Sequence, residues 1–148
     1  MSLEDVEAIK QVKARYFRLM DTKDWDGLAG VFTDDVVMDI TSEGMGVVTN
    51  VAEYMPFLIG VLGDVTTVHH GHMPEIELTS ATTASAIWAF EDELWWPEGA
   101  PLRYMHGYGH YHETYEKGAD GWRIKTMTIT RLQRLVETAP PTPSESVG

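Results

Sequence analysis

The first segment of the chain has the hydrophobic spacing of an amphipathic helix. Apolar residues recur every three or four positions and would share one helical face: Leu3, Val6, Ile9, Val12, Tyr16, Leu19 and Met20. Ser2 precedes this pattern and Asp5 lies in the first turn, so Ser2 is the predicted N-cap. The spacing predicts a helix from about residue 3 that ends near Asp21.

Two shorter helices are predicted after it. Asp24 is the expected N-cap of the second, which would bury an apolar group consisting of Trp25, Leu28, Val31 and Phe32. Residues 33–35 would then turn into a strand over 36–40. Asn50 is the expected N-cap of a third helix that runs to residue 62, and Pro56 inside it is expected to bend or divide it. This helix is apolar on most sides, so it should be buried or cover a cavity.

The pattern changes from helical to extended after residue 65. Alternating or continuously apolar runs, separated by Gly and Pro turn signals at 71–74, 97–101 and 118–121, cover residues 65–72, 75–78, 84–95, 102–116 and 122–135. This order, with helices first and antiparallel strands afterwards, predicts one α+β domain over 1–138. In it a curved sheet would wrap around the helices and leave a pocket. The Pro- and Ser-rich residues 139–148 are predicted to be a flexible tail.

The long strand predicted over 102–116 divides its side chains between two faces. One face would carry Tyr104, His106, Tyr108, His110 and His112, and the other Met105, Gly107, Gly109, Tyr111 and Glu113. The aromatic and imidazole face is the predicted contact surface of a homodimer or homotrimer. Half-buried packing within one chain is the alternative for each of its tyrosines.

Composition narrows the classes of function. The 148 residues suffice for a single domain with a real core. With 23 acidic and 11 basic residues the formal net charge is −12, which disfavours nucleic acid and anionic membranes as partners. No cysteine is present, which removes thiolate metal sites and cysteine nucleophiles. No long apolar run or signal peptide is visible, so a cytoplasmic protein is expected.

Asp21 is the first candidate for chemistry. A carboxylate at the end of a helix faces the negative pole of the helix dipole, which is a poor position for stability. It suits a group that holds or orients a proton, and the histidines that begin at residue 69 offer a partner. Capping of the turn at Asp24 is the alternative role of Asp21.

The six histidines also raise the question of a metal site. His70 and His72 have the spacing that places two ligands on one face of a strand, as do His110 and His112. His69 would point to the opposite face from His70 and His72, so these three could not share one ion. No HExxH motif is present either. We therefore expect no metal site, and interpret these histidines as surface or subunit-contact residues.

The order of elements and three short phrases resemble the SnoaL-like branch of the nuclear transport factor 2-like superfamily. The phrases occupy residues 20–26, 32–35 and 120–124, and the resemblance covers about residues 3–135. It implies a cone-shaped α+β barrel, with N-terminal helices packed in a strongly curved, mostly antiparallel sheet around a deep cavity. Within that superfamily the chain resembles the enzymes scytalone dehydratase and hexachlorocyclohexane dehydrochlorinase.

Both of these enzymes use an Asp and His dyad, and the resemblance assigns those positions to Asp21 and His69. His69 would be the general base, and Asp21 would orient its ring and stabilise the imidazolium. A satisfied core or rim histidine is the alternative for His69. The predicted substrate contacts are Tyr16, Tyr54, Tyr111, Trp88 and Met127. Core packing is the alternative for Trp88.

The chain also departs from those enzymes. Met20 and Ile40 replace the tyrosines by which scytalone dehydratase holds a leaving water. Tyr16 and Met127 stand where the dehydrochlorinase has a lysine and an arginine. We therefore expect neither a tyrosine pair at those positions nor a cationic contact to a leaving group.

No phosphate loop, nucleophile elbow or Schiff-base lysine is evident, so no cofactor is expected. The residues and the resemblance together predict a cofactor-independent lyase of the dehydratase type, or a related isomerase. Its substrate would be a small apolar cyclic or aromatic molecule, such as a polyketide intermediate. The alternative is a non-catalytic small-molecule-binding or subunit-assembly domain of the same fold.

Overall fold

A computed structural model describes residues 2–140 of the chain. Three helices, α1 to α3, span Leu3–Asp21, Trp25–Ala29 and Val51–Leu62. Six strands, β1 to β6, span Phe32–Asp39, Val47–Val48, Thr66–Leu78, Thr83–Trp95, Leu102–Gly118 and Gly121–Thr138. A 3-10 turn covers Thr41–Glu43. Of the tail predicted over 139–148, residues 141–148 lie outside the described part. No helix within residues 2–140 is long and apolar enough to span a membrane.

All six strands belong to one sheet, in the order β2-β1-β6-β5-β4-β3. Every neighbouring pair is antiparallel except β1 and β6, which run parallel. The predicted α+β cone with a mostly antiparallel sheet is confirmed. The sheet is not closed into a full barrel, because the edge strands β2 and β3 do not pair with each other.

The three helix starts follow the predicted capping chemistry. Ser2 Oγ accepts from the Asp5 amide at 3.2 Å, Asp24 Oδ1 from the Gly27 amide at 2.9 Å, and Asn50 Oδ1 from the Glu53 amide at 2.7 Å. Each cap satisfies a backbone donor that would otherwise lack a partner. The buried face of α1 packs into the core through Ile9, Val12, Tyr16, Phe17, Leu19 and Met20.

Some predicted boundaries are wrong. Strand β1 begins at Phe32 rather than at residue 36, so Phe32 is a strand residue and the turn after α2 lies at residues 30–31 rather than at 33–35. Pro56 does not divide α3, which is continuous from Val51 to Leu62. Pro56 and Ala52 both lie on the exposed side of that helix. The Ala52 carbonyl that loses its helical partner can therefore bond to water.

The turn predicted over 71–74 is also wrong, because β3 continues through it with a register shift between Gly71 and Pro74. Gly71 allows helix α1 to approach at this point, since a Cβ there would lie only 2.6 Å from the Phe17 ring.

The predicted division of β5 into two faces is confirmed. Its inner residues are buried, whereas His112 on the outer face is exposed.

Candidate active site

The end of α1 brings Asp21 against strand β3. His69 Nδ1 lies 2.7 Å from Asp21 Oδ1, and the His69 amide donates to Oδ2 at 2.9 Å. Thr67 Oγ1 donates to Oδ1 at 3.0 Å. A carboxylate can only accept, so the Nδ1 proton points to Asp21 and Nε2 is the nitrogen with the free lone pair. Three donors thus fix the carboxylate, and the carboxylate fixes the ring.

The imidazole of His69 is buried and held on one face. Its side chain is 5% exposed, and the Phe17 ring stacks on it at 5.8 Å between centroids with an interplanar angle of 17°. On the side away from Asp21, Nε2 lies 3.8 Å from Asp92 Oδ2. His69 therefore lies between two carboxylates, one at each nitrogen, so both would stabilise a positive charge that forms on the ring.

Asp92 belongs to an ion-pair network on the inner face of the sheet. Arg131 donates to both Asp92 oxygens, at 2.6 Å and 2.9 Å, and also binds Glu43. Arg134 binds Glu43 as well and donates to the Ser42 carbonyl at 2.7 Å. Burial lowers the pKa of Arg131, but its hydrogen bonds to Asp92 and Glu43 outweigh burial and raise it above the usual range. With two carboxylates and two guanidinium groups, this network has no net charge.

The cavity wall includes a cationic side chain, although no cationic contact to a leaving group was expected. Arg131 lies four residues beyond Met127 on β6 and lines the same cavity as His69. Met127 itself is 1% exposed in the core, with its sulfur 3.9 Å from the Tyr16 hydroxyl.

Gly107 makes room for the Asp92 and Arg131 pair. A Cβ at residue 107 would lie 2.4 Å from Arg131 Nη1 and 2.7 Å from Asp92 Oδ1. The space beside Gly107 is thus filled by protein. At Gly109 the Thr130 carbonyl oxygen would lie 2.0 Å from a Cβ, and the register shifts between Tyr108 and Gly109. The register shift at Gly109 is typical of a bend in the sheet.

Three predicted tyrosines line the cavity. The Tyr16 hydroxyl donates to the Tyr111 hydroxyl at 3.4 Å, and Tyr54 faces the same space from α3. Burial raises the pKa of Tyr54 above its usual value, and burial also raises the pKa of Tyr16 and of Tyr111 well above theirs. All three phenols therefore stay neutral in the physiological range and can donate hydrogen bonds.

The cavity between the sheet and α3 has a volume of about 560 Å³, which suits a small organic molecule. Its wall is mainly apolar, with contributions from Met20, Phe57, Leu58, Trp96, Met105 and Ile129. The polar side chains that face it include His69, Asp92 and Arg131. An apolar wall with a few converging polar groups is typical of a ligand site.

Two predicted contacts lie elsewhere. Trp88 is not part of the wall of this cavity. Its Nε1 donates to the Tyr115 hydroxyl at 2.9 Å, and its ring borders a shallow groove beside α1. Met127 is in the core, as described above. Asp21 lies behind His69 rather than in the cavity wall.

Asp92, Arg131, Glu43 and Arg134 were not predicted from the sequence. A signal for Asp92 was present, because it falls on the inward parity of β4 together with Trp88 and Phe90. A charged side chain on the core-facing parity of a strand needs a partner. The partner could not be named without the pairing of β4, β5 and β6.

Comparisons with known proteins agree with this architecture. The SnoaL-like domain family matches residues 1–128. "Probable cyclase FGR4" of Gibberella zeae is 23% identical over 141 residues, which cover 89% of this chain and 94% of that protein.

Two solved structures have a similar fold. A hexachlorocyclohexane dehydrochlorinase, LinA type 2, superposes with a TM-score of 0.80 at 21% identity and covers 94% of this chain and 95% of that one. A protein of Novosphingobium aromaticivorans DSM 12444, provisionally assigned as a scytalone dehydratase, has a TM-score of 0.81 at 22% identity, with 95% of each chain covered. At these identities the likeness establishes the fold alone.

Proposed function

This chain belongs to the SnoaL-like family, as its sequence phrases predicted, and we propose that it is a cofactor-independent lyase of the dehydratase type or a related isomerase. One observation carries the proposal. His69 Nδ1 is held 2.7 Å from Asp21, while the opposite side of its ring faces a mainly apolar cavity. A histidine held in this way can accept a proton from a bound molecule at Nε2.

The reaction begins when His69 Nε2 takes a proton from a carbon next to a carbonyl group. The electrons of the broken C–H bond form a double bond toward the carbonyl carbon, and a phenol donates to the resulting oxyanion. In a dehydration the C=O bond re-forms, and the electrons of the enolate double bond form a new C=C bond to the neighbouring carbon. The hydroxyl on that carbon leaves and takes the proton from the imidazolium, so that water forms and His69 is neutral again. In an isomerisation the imidazolium returns the proton to another carbon of the same molecule.

The charges around the cavity favour a neutral substrate. Asp92 and Glu43 balance Arg131 and Arg134, and Asp21 adds one negative charge behind His69. An anionic substrate would meet net negative charge in a region of low dielectric. The apolar wall favours a cyclic or aromatic molecule, and a polyketide intermediate has this chemistry.

The test is His69→Gln, with His70→Gln as the matched control. His70 is the next residue of β3 and is exposed. Exchange of the C–H protons of neutral cyclic β-hydroxy ketones in deuterated water, followed by NMR, detects proton abstraction even when no group leaves. We expect His69→Gln to lower the exchange rate by about 10²–10⁴-fold and His70→Gln to leave it unchanged. Equal exchange in the parent chain and His69→Gln would contradict the proposal.

The alternative function is binding without turnover. The cavity would then take the same ligands, because its apolar wall alone can bind them. Binding of cyclic ketones to the parent chain, without exchange or elimination for any of them, would favour this alternative.

We also propose that the outer face of β4 and β5 binds a second copy of the chain. Trp95 and Ile87 on that face are 40% and 37% exposed. Exposed aromatic and aliphatic side chains on a flat sheet face are typical of homo-oligomer contacts. Sedimentation equilibrium should give a dimer or trimer for the parent chain and a smaller species for Ile87→Glu. An unchanged mass in Ile87→Glu would count against this surface.

A further inference from the structure

A second cluster of titratable side chains lies on the outer face of the sheet, on the side away from the cavity. It consists of Glu91 and Glu93 of β4 and His106 of β5, whose ligand atoms all lie within 4.8 Å of one another. His106 is directly opposite Glu93 in the strand register. Glu91 is two residues from Glu93 and so shares its face. Pairing of the two strands thus brings three potential metal ligands together.

The negative charge of this cluster has no basic partner. Within residues 2–140, no lysine or arginine nitrogen lies within 4.0 Å of the Glu91 or Glu93 carboxylate. The neighbours of Glu91 are His72 Nε2 at 3.4 Å and His106 Nε2 at 3.7 Å, and Glu93 accepts a hydrogen bond from Tyr104 at 2.9 Å. Asp92 lies between them in the sequence but on the opposite face of β4, and it forms an ion pair with Arg131. Two adjacent carboxylates without a counter-charge favour binding of a cation.

A second observation concerns His106, whose side chain is 21% exposed. Its Nε2 atom is buried and has no hydrogen-bond partner among the described residues. The ring stacks on Tyr108, with centroids 4.6 Å apart and an interplanar angle of 29°. On the Glu91 side of the ring, Nε2 lies 3.7 Å from Glu91 Oε1. Buried polar atoms in folded proteins are nearly always satisfied, so a missing partner at this atom indicates a ligand.

We propose that Glu91, Glu93 and His106 bind Zn²⁺, with His72 as the fourth ligand. Two imidazole nitrogens and two carboxylate oxygens without thiolates suit Zn²⁺ better than Mg²⁺ or Ca²⁺, which prefer oxygen alone. The ligand atoms of a tetrahedral zinc site are about 3.3 Å apart. Rotation of the flexible glutamate side chains can bring the ligand atoms from their present separation to this shorter one. Tyr104 orients Glu93 through its hydrogen bond.

The role of the ion would be structural. Four protein ligands leave no open position for a reacting water. His72 lies on β3, the two glutamates on β4 and His106 on β5, so one ion would connect three neighbouring strands at the β3 edge of the sheet. The site is independent of the proposed catalysis, because its ligands face away from the cavity, but it shares the outer face of β4 and β5 with the proposed contact to a second copy.

The experiment is calorimetric titration of the chelator-treated full chain with ZnCl₂ at pH 7.5, with MgCl₂ in parallel. We expect one Zn²⁺ per chain, no comparable binding of Mg²⁺, and a rise in Tm with zinc concentration. Glu93→Gln and His106→Gln should each weaken zinc binding by about tenfold or more. His112→Gln is the matched control, since His112 lies on the same face of β5 beside Thr130, and it should leave the affinity unchanged.

Three results would overturn the proposal. The first is absence of stoichiometric zinc binding by the parent chain. The second is equal zinc affinity in the parent chain and His106→Gln, with both folded by circular dichroism. The third is equal affinity for Mg²⁺ and Zn²⁺, because a site that uses imidazole nitrogen should discriminate against Mg²⁺.

Discussion

Helix α1 carries two charged side chains into the protein about two turns apart, and they meet different surroundings. Lys13 forms an ion pair with Glu113 in which both side chains are fully buried. Tyr115 donates to Glu113 at 2.6 Å and accepts from Trp88 at 2.9 Å. These four residues are called the closed network. Asp21 instead forms a pair with His69, next to Asp92 and Arg131, and these four are called the open network.

The two networks differ in whether a titratable atom remains available to a bound molecule. In the closed network the ammonium group of Lys13 is enclosed by Glu113 and by aromatic rings, with Nζ 3.4 Å from the centroid of Tyr111 and 3.9 Å from that of Tyr16. In the open network His69 Nε2 faces the cavity, with Asp92 as its nearest carboxylate at 3.8 Å. Burial of charge is therefore a poor marker of a functional site by itself. A buried titratable atom that faces a cavity is a better one.

The largest effect is expected from breaking the closed network. Lys13→Met leaves the Glu113 carboxylate buried without its counter-charge, which should lower the free energy of unfolding by about 3–5 kcal/mol. Urea unfolding followed by circular dichroism measures the change. The double variant Lys13→Met with Glu113→Leu should regain most of the loss, because it removes both charges. Additive losses in the double variant would show that the pair is not coupled.

A matched control for that experiment is Lys125→Met. Lys125 pairs with Asp35 at 2.7 Å, but this pair is at the surface. Exposed ion pairs contribute little to stability because water screens them. The variant should therefore unfold at nearly the same urea concentration as the parent chain.

In the open network the loss should appear in activity rather than in stability. Asp21→Asn keeps the shape of the side chain but removes the charge that orients and stabilises His69. The rate of proton abstraction should fall by about 10²-fold, whereas the free energy of unfolding should change by about 1 kcal/mol or less. Deuterium exchange and urea unfolding of the same preparation measure both quantities. A large loss of stability with unchanged exchange would place Asp21 among the structural residues.

Gly107→Ala tests the packing of the open network. The new Cβ would collide with Arg131 Nη1 and Asp92 Oδ1, so the ion pair must shift. We expect a loss of about 1–3 kcal/mol in the free energy of unfolding, measured by urea unfolding. Gly118→Ala is the control, because nothing lies within 4 Å of a Cβ at that position. Equal stability of the two variants would contradict this packing.

The smallest effect is a change of stability with pH. Burial lowers the pKa of Lys13 from 10.5 to about 8 in the folded chain, despite the opposing effect of Glu113. Between about pH 8 and 10 the unfolded chain therefore binds more protons at this residue, and stability should rise with pH. Lys23, whose pKa is also lowered by burial, acts in the same direction.

Above about pH 10 the trend should reverse. Burial raises the pKa of Tyr16, Tyr111 and Tyr115 well above 10.0 in the folded chain, so these residues keep their protons when the unfolded chain loses them. Stability then falls as pH rises. Thermal unfolding from pH 7 to 11 should show a maximum of Tm at about pH 10. The rise below that maximum should shrink in the Lys13→Met, Glu113→Leu double variant, and an unchanged rise would exclude Lys13 as its cause.

Much of the site could be predicted from local patterns and from the family resemblance. Helix periodicity and the end of α1 identified Asp21, and the resemblance paired it with His69. Parity along β5 placed Tyr111 on the face opposite to the histidines, and the resemblance assigned that face to the cavity. These inferences succeed where they depend on residues within a turn or on alternation along a single strand.

The remaining features depended on contacts between distant segments. Asp92 meets Arg131, 39 positions later in the chain, only because the register of β4, β5 and β6 aligns them around Gly107. The continuity of β3 through Gly71 depends on the Phe17 ring of α1.

By itself, the sequence determined the helices, their caps, the alternation of the strands and membership of the family. Only the tertiary structure decided which inward charges meet, which of them face the cavity, and that two glutamates and a histidine converge on the outer face. The physical reason is the distance along the chain over which the interactions act. Caps and periodicity arise from groups a few residues apart, whereas strand register and burial are set by the packing of the whole sheet against the helices.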